Sequence, residues 1–273
     1  MALVIDKLIM GLTKMRNYNM AVLTEKQIKY GFDYYHKDDA RPKSVVEVSE
    51  YDGEDKLIIN CTQLEESYSA KAKKRIWMEW CDFLVHNPDT FTELMFCTRM
   101  PQDLFDAVCA QRRLKKLHIK WGVYPDISKL ENLQELEYLH IGSGRSVSSL
   151  EPISRLVNLV ALSIENFQQI DDYAPLANLK HLESLALEGD FAAPKILKVQ
   201  SLEFLRHMKQ LRFFSLLTAK VIDKDYSPIL ELNNLEHLTL KSCKEVKQLY
   251  PQLIKLPKLK YGTVLERPEL YEK

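Results

Sequence analysis

At 273 residues, with 46% hydrophobic and 28% charged positions, the chain is long enough to bury a core and too apolar to stay disordered. Lys plus Arg and Asp plus Glu both number 38, so no overall field favours a polyanion or an anionic membrane. Nowhere do about eighteen apolar residues run together, and the five scattered cysteines (Cys61, Cys81, Cys97, Cys109, Cys243) form no Cys-x-x-Cys pair, which argues against a membrane span, a disulfide framework and a zinc knuckle.

Asp6 and Lys7 interrupt the apolar start Leu3-Val4-Ile5 before a signal-peptide core can form, and a reducing cytoplasm is the expected setting. Residues 1–90 carry no repeat and are expected to form an α+β cap domain. Leu8, Ile9, Leu12 and Met15 make one amphipathic stripe. Thr24 followed by Gln27 has the spacing of a capping box and predicts a second helix. His36, Asp38 and Asp39, the best candidates for chemistry in this part, precede Pro42 and read as a solvated turn. Val45, Val46 and Val48 on one side of Asp52-Gly53, with Leu57, Ile58 and Ile59 on the other, predict a β-hairpin. A third helix carries Ile76, Trp77, Trp80, Phe83 and Leu84 on one face, ends at Pro88, and is expected to pack on the first repeat.

From Phe91 onward one pattern governs. L-x-x-L-x-L/I recurs as Leu114, Leu117, Ile119; Leu136, Leu139, Ile141; Leu159, Leu162, Ile164; Leu182, Leu185, Leu187; and Leu235, Leu238, Leu240. Leu211, Phe214, Leu216 is a variant, and Phe91, Leu94, Phe96 and Leu259, Gly262, Val264 are weaker end copies. Successive copies start 22–24 residues apart, except for one step of 29 between Leu182 and Leu211. The alternation predicts eight short strands with one buried face, at 93–97, 116–120, 138–142, 161–165, 184–188, 213–217, 237–241 and 261–265. Apolar sets between them, such as Leu202, Leu205 and Met208, suit one or two returning helical turns. No unit has enough apolar surface to fold alone. Stacked units share a continuous core, with a parallel sheet on one side and short helices on the other.

These residues resemble bacterial leucine-rich-repeat proteins of the internalin-like type. The resemblance covers residues 91–273 and implies an α/β solenoid, a right-handed horseshoe with a concave parallel sheet. It also implies a turn asparagine three residues after the last strand leucine. Here those positions hold Gly122, Gly144, Phe167, Asp190, Ala219 and Cys243, so the turns must be satisfied in another way.

Side chains between the buried leucines should line the concave face. Aromatic and charged residues there are the expected partner contacts: Lys116, His118, Lys120, Tyr138, His140, Glu165, Glu188, Phe213, His237 and Tyr261. The extra length of the long repeat is placed at 189–195, as a rim loop that carries Phe191 beside Glu188. Arg112, Arg113, Lys115, Lys116, His118 and Lys120 form a basic cluster, which supports nucleic-acid binding as the alternative. Glu165, Glu183 and Glu188 form an acidic middle, and the two together suit a polar protein surface.

No phosphate-binding glycine loop, H-E-x-x-H or G-x-S-x-G is present. His118 and His140, near Cys97, could in principle hold zinc but lack a third or fourth ligand with support behind it. The sequence therefore predicts a non-catalytic protein-binding module with no cofactor and no metal.

Overall fold

The computed structural model describes residues 21–31, 41–190 and 195–272. The stripe at Leu8–Met15, the group His36, Asp38 and Asp39, and Phe191 lie outside the described residues.

A nine-stranded parallel sheet runs through the molecule in chain order. Its strands are β1 (Lys43–Val45), β2 (Lys56–Ile59), β3 (Glu93–Phe96), β4 (Lys116–Ile119), β5 (Tyr138–Ile141), β6 (Ala161–Glu165), β7 (Ser184–Glu188), β8 (Phe213–Leu217) and β9 (His237–Leu240). From β3 on, equivalent residues stand side by side: Leu94, Leu117, Leu139, Leu162, Leu185, Phe214 and Leu238 form one buried row. Every member of that row is at most 1% exposed. This register is the repeat spacing expressed in three dimensions, and it makes the chain a leucine-rich-repeat solenoid.

Return segments close each unit behind the sheet. They are mostly single 3₁₀ turns, at Ser128–Asn132, Ala174–Asn178, Glu203–His207 and Ser227–Glu231. The helices are α1 (Glu25–Tyr30), α2 (Ala70–His86), α3 (Gln102–Val108), α4 (Glu151–Ser154), α5 (Lys244–Leu253) and α6 (Thr263–Glu266). Thr24 caps α1 with the full reciprocal box to Gln27. α2 buries Ile76, Trp80 and Leu84 in the same core as the repeats, and the Trp80 indole donates to the Val46 carbonyl at 2.8 Å.

Two expectations are corrected. Residues 43–59 are not a hairpin: β1 and β2 pair in parallel, Val45 beside Ile59. Gly53 does turn the chain, with φ 107°, but the 3₁₀ turn Val48–Glu50 has already carried it off the sheet. Period-two alternation identifies a strand without fixing its direction. The sheet and its core therefore run across residue 90 without a break. At the other end no strand forms over 261–265. Tyr261 makes one isolated bridge to His237, Gly262 turns at φ 100°, and α6 follows. A side chain at Gly262 would meet the Leu238 backbone, its Cβ 2.2 Å from the carbonyl oxygen. Tyr271 then folds over the last strand, its hydroxyl donating to the Leu240 carbonyl at 2.5 Å.

Aromatic rings replace the absent turn asparagines. The Tyr124 hydroxyl donates to the Gly142 carbonyl, and Phe167 is fully buried in the space left by Gly144. Ser143, Asn166 and Thr218, each two residues past the last strand leucine or isoleucine, take left-handed backbone with φ near 49–58°. The Asn166 amide reaches the Asp190 carboxylate at 3.3 Å. In the long repeat Asp190 N–H donates to the Lys195 carbonyl, and the chain is back in the core by Leu197 and Val199.

Candidate functional site on the concave face

The strands place the expected contact residues in columns. One reads Tyr138, Ala161, Ser184, Phe213, His237 and Tyr261. Its neighbour holds His118, His140, Ser163, Ala186, Ser215 and Thr239. Glu165 and Glu188 stand side by side at the ends of β6 and β7. Lys120 is exposed beyond β4, while Lys116, His118, His140, Glu165 and Glu188 are half-buried.

Tyr138, Phe213 and His237, expected as partner contacts, are covered by the chain itself. They are 8%, 6% and 8% exposed, and residues 21–31 lie against all three. Leu23 and Ile28 form a small apolar cluster with Tyr138, Val160 and Ala161, separate from the repeat core. Burial raises the pKa of the Tyr138 phenol, and the Gln27 side chain opposes that rise. The Tyr261 hydroxyl donates to Glu25 at 2.7 Å. Gly31, with φ 72°, lies so close to the Phe213 ring that a Cβ there would sit 3.0 Å from it. Because of this cover, Tyr138→Ala and Phe213→Ala would disturb the chain's own packing as well as a partner's.

A charge ladder runs along the rim at the residue preceding each strand. Arg212 is its centre: it pairs with Glu183 and with Glu236, both at 2.8 Å, and it donates to the Leu23 carbonyl at 2.9 Å. Glu183 in turn accepts from the Leu23 N–H at 3.3 Å. Lys260 reaches Glu236 at 3.1 Å, and Lys115 reaches Glu137 at 3.2 Å. Burial alone would raise the Glu236 carboxyl; hydrogen bonds from Arg212 and Lys260 outweigh it and hold it below the usual carboxylate range. Sequence reasoning counted Glu183 as part of an acidic patch and missed Arg212. The signal was present: once strand starts are fixed, the preceding positions read Lys115, Glu137, Val160, Glu183, Arg212, Glu236 and Lys260.

Part of the basic cluster is engaged within the chain. Arg112 pairs with Asp89, Arg113 donates to the Asp89 carbonyl, and Lys115 is held by Glu137. Lys116 lies 3.9 Å from the buried Glu93 carboxylate and over the Tyr138 ring. His118 and His140 stack nearly parallel with ring centroids 4.2 Å apart, and His140 Nδ1 lies 3.0 Å from the Ser163 hydroxyl. Stacked imidazoles direct their in-plane lone pairs side by side, not onto one ion. Among the described residues no group of three or more His, Cys, Asp or Glu is placed to hold a metal.

No protein-family model matches the chain, and no curated protein matches it. Among solved structures it is similar to an internalin C2 of Listeria monocytogenes, at 19% identity and TM-score 0.45, over 66% of this chain and 71% of that one. It is also similar to the internalin inlF of the same species, at 17% identity and TM-score 0.39, over 75% of this chain and 58% of that one. A leucine-rich-repeat protein of Leptospira interrogans aligns at 15% identity and TM-score 0.40, over 76% of this chain and 65% of that one. The fold assignment rests on the repeat register described above.

Proposed function

We propose that the chain is a non-catalytic protein-binding module that receives a partner protein on its concave face. One observation carries the reading: that face already holds a stretch of polypeptide, gripping its backbone through Glu183 and Arg212 and its side chains through Tyr138, Val160 and Ala161. A surface that binds eleven residues of its own chain in this way has the chemistry of a peptide-binding surface. Partner contacts extend over Lys116, His118, Lys120, His140, Glu165 and Glu188, where both charge signs are presented. A cytoplasmic setting is part of this proposal, supported by five cysteines that are all unpaired. Among the described residues no helix is long and apolar enough to cross a membrane.

The test uses Lys120→Glu with Glu165→Lys and Glu188→Lys in the full chain. Proteins captured from the native host by wild type are identified, and the affinity of the purified partner is measured by calorimetry. The charge reversals should weaken binding at least tenfold with little change in melting. Unchanged affinity would move the interface off the concave face.

A further inference from the structure

The segment on the concave face is built differently from everything beneath it. Its apolar cluster, centred on Leu23 and Ile28, is distinct from the continuous core of the repeats, so lifting it opens no repeat. Its helix has six residues, too few to persist alone in water. Two of its polar contacts are to the Leu23 backbone, the N–H to Glu183 and the carbonyl from Arg212, and any peptide can supply those groups. The remaining contacts specify a pattern. A leucine fits against Tyr138, Val160 and Ala161; a carboxylate at the first helical position meets the Tyr261 hydroxyl; and an isoleucine follows within the same short helix. At the helix end Phe213 leaves room for a glycine and little more.

We propose that residues 21–31 are a displaceable internal ligand of the concave face, and that the partner enters by replacing them with a segment of the same chemistry. That segment is an extended leucine-sized residue followed by an N-capped, acid-first helical turn with a branched apolar residue. The inference rests on the concave face being the partner site. Occupation in cis sets a threshold: a competing segment must overcome the high effective concentration of the attached one, so apparent affinity falls by the fraction of molecules that are open.

The test uses the full chain and a fluorescein-labelled synthetic peptide of the sequence Ala21–Gly31. The double variant Leu23→Asp, Ile28→Asp expels the internal segment and should bind the peptide at least tenfold more tightly than wild type. A peptide carrying the same two aspartates should bind neither protein. Hydrogen exchange on wild type gives an independent measurement. The amides of Ile28 and Gly31, bonded to the Thr24 and Gln27 carbonyls, should exchange at least tenfold faster than those of Leu162 and Leu185. Equal peptide affinity in the two proteins overturns the proposal. So does exchange of those amides only at the rate of global unfolding, or loss of folding in the double variant, since each makes the segment a fixed structural strap. Dimers with exchanged segments, seen by light scattering, would assign the groove to a second copy and overturn the partner class. If the charge reversals abolish capture while the aspartate pair leaves it unchanged, only displacement fails; if the reversals do nothing, the concave-face reading fails.

Discussion

Replacing Arg212 with Met keeps the length and apolar stem of the side chain and removes the guanidinium that joins Glu183, Glu236 and the Leu23 carbonyl. Breaking one side of a fully buried ion pair costs about 3–5 kcal/mol, whereas exposed pairs contribute below ~1 kcal/mol. The Arg212 side chain is 25% exposed, and Glu183 and Glu236 are 17% and 11% exposed. Glu236 keeps Lys260, so Glu183 is the carboxylate left without a cation. An intermediate loss of about 2 kcal/mol follows, equivalent to a drop in Tm of roughly 4–8 °C for a chain of this size. Thermal and urea melts of Arg212→Met, of Glu183→Gln and of the two together complete a double-mutant cycle. The second change should recover about half of the loss, because it neutralises the orphaned acid. Arg212→Lys should recover less than wild type, since a single ammonium cannot reach three acceptors in fork geometry. A single variant within about 0.5 kcal/mol of wild type, or a double variant showing simple additivity, would refute the ladder as a stabilising unit.

Leu162→Asp places a carboxylate at a position 1% exposed in the middle of the leucine row and should abolish cooperative folding; a wild-type circular dichroism melt would contradict the register. Gly142→Ala sets a Cβ 2.0 Å from the Lys120 carbonyl oxygen and should cost about 1–3 kcal/mol by overpacking against backbone, read by urea denaturation; no loss would mean the strands stand further apart. His237 should make stability fall with acid. Burial lowers its pKa below the ordinary 6.5, against opposing pulls from the Ile28 and Lys29 backbone and from Glu266, so the unfolded state binds more protons. Stability is fully present above about pH 6.5 and drains away as pH falls towards the depressed value; His237→Asn should flatten that slope, and a slope of opposite sign would mean a charged native imidazole.

The repeats were legible because leucine spacing records which side chains must leave water, and that period is the fold. Direction and closure are not written in the period. Val45 and Ile59 alternate equally well in a parallel or an antiparallel pair, and Gly262 looks like a weak leucine substitute until the Leu238 backbone is seen pressed against it. The concave face was legible as a list of residues but not as an occupied surface. The bond between Tyr261 and Glu25 spans 236 positions, a separation no local pattern reports. A hint lay in Ala161 and Ser184, small residues between Tyr138 and Phe213, with Ala186 and Ser215 in the next column, which leave space for a bound segment.

The footprint of residues 21–31 also bears on how such a chain can change by descent. Its anchors run from Tyr138 to Tyr261, six successive positions of one column from β5 to the isolated bridge beyond β9. At about 4.8 Å per strand that is a span of roughly 24 Å. Gain or loss of a unit inside this window would shift one anchor against the other by a full strand spacing, while the short segment keeps its length. Copy number is therefore locked between Tyr138 and Tyr261.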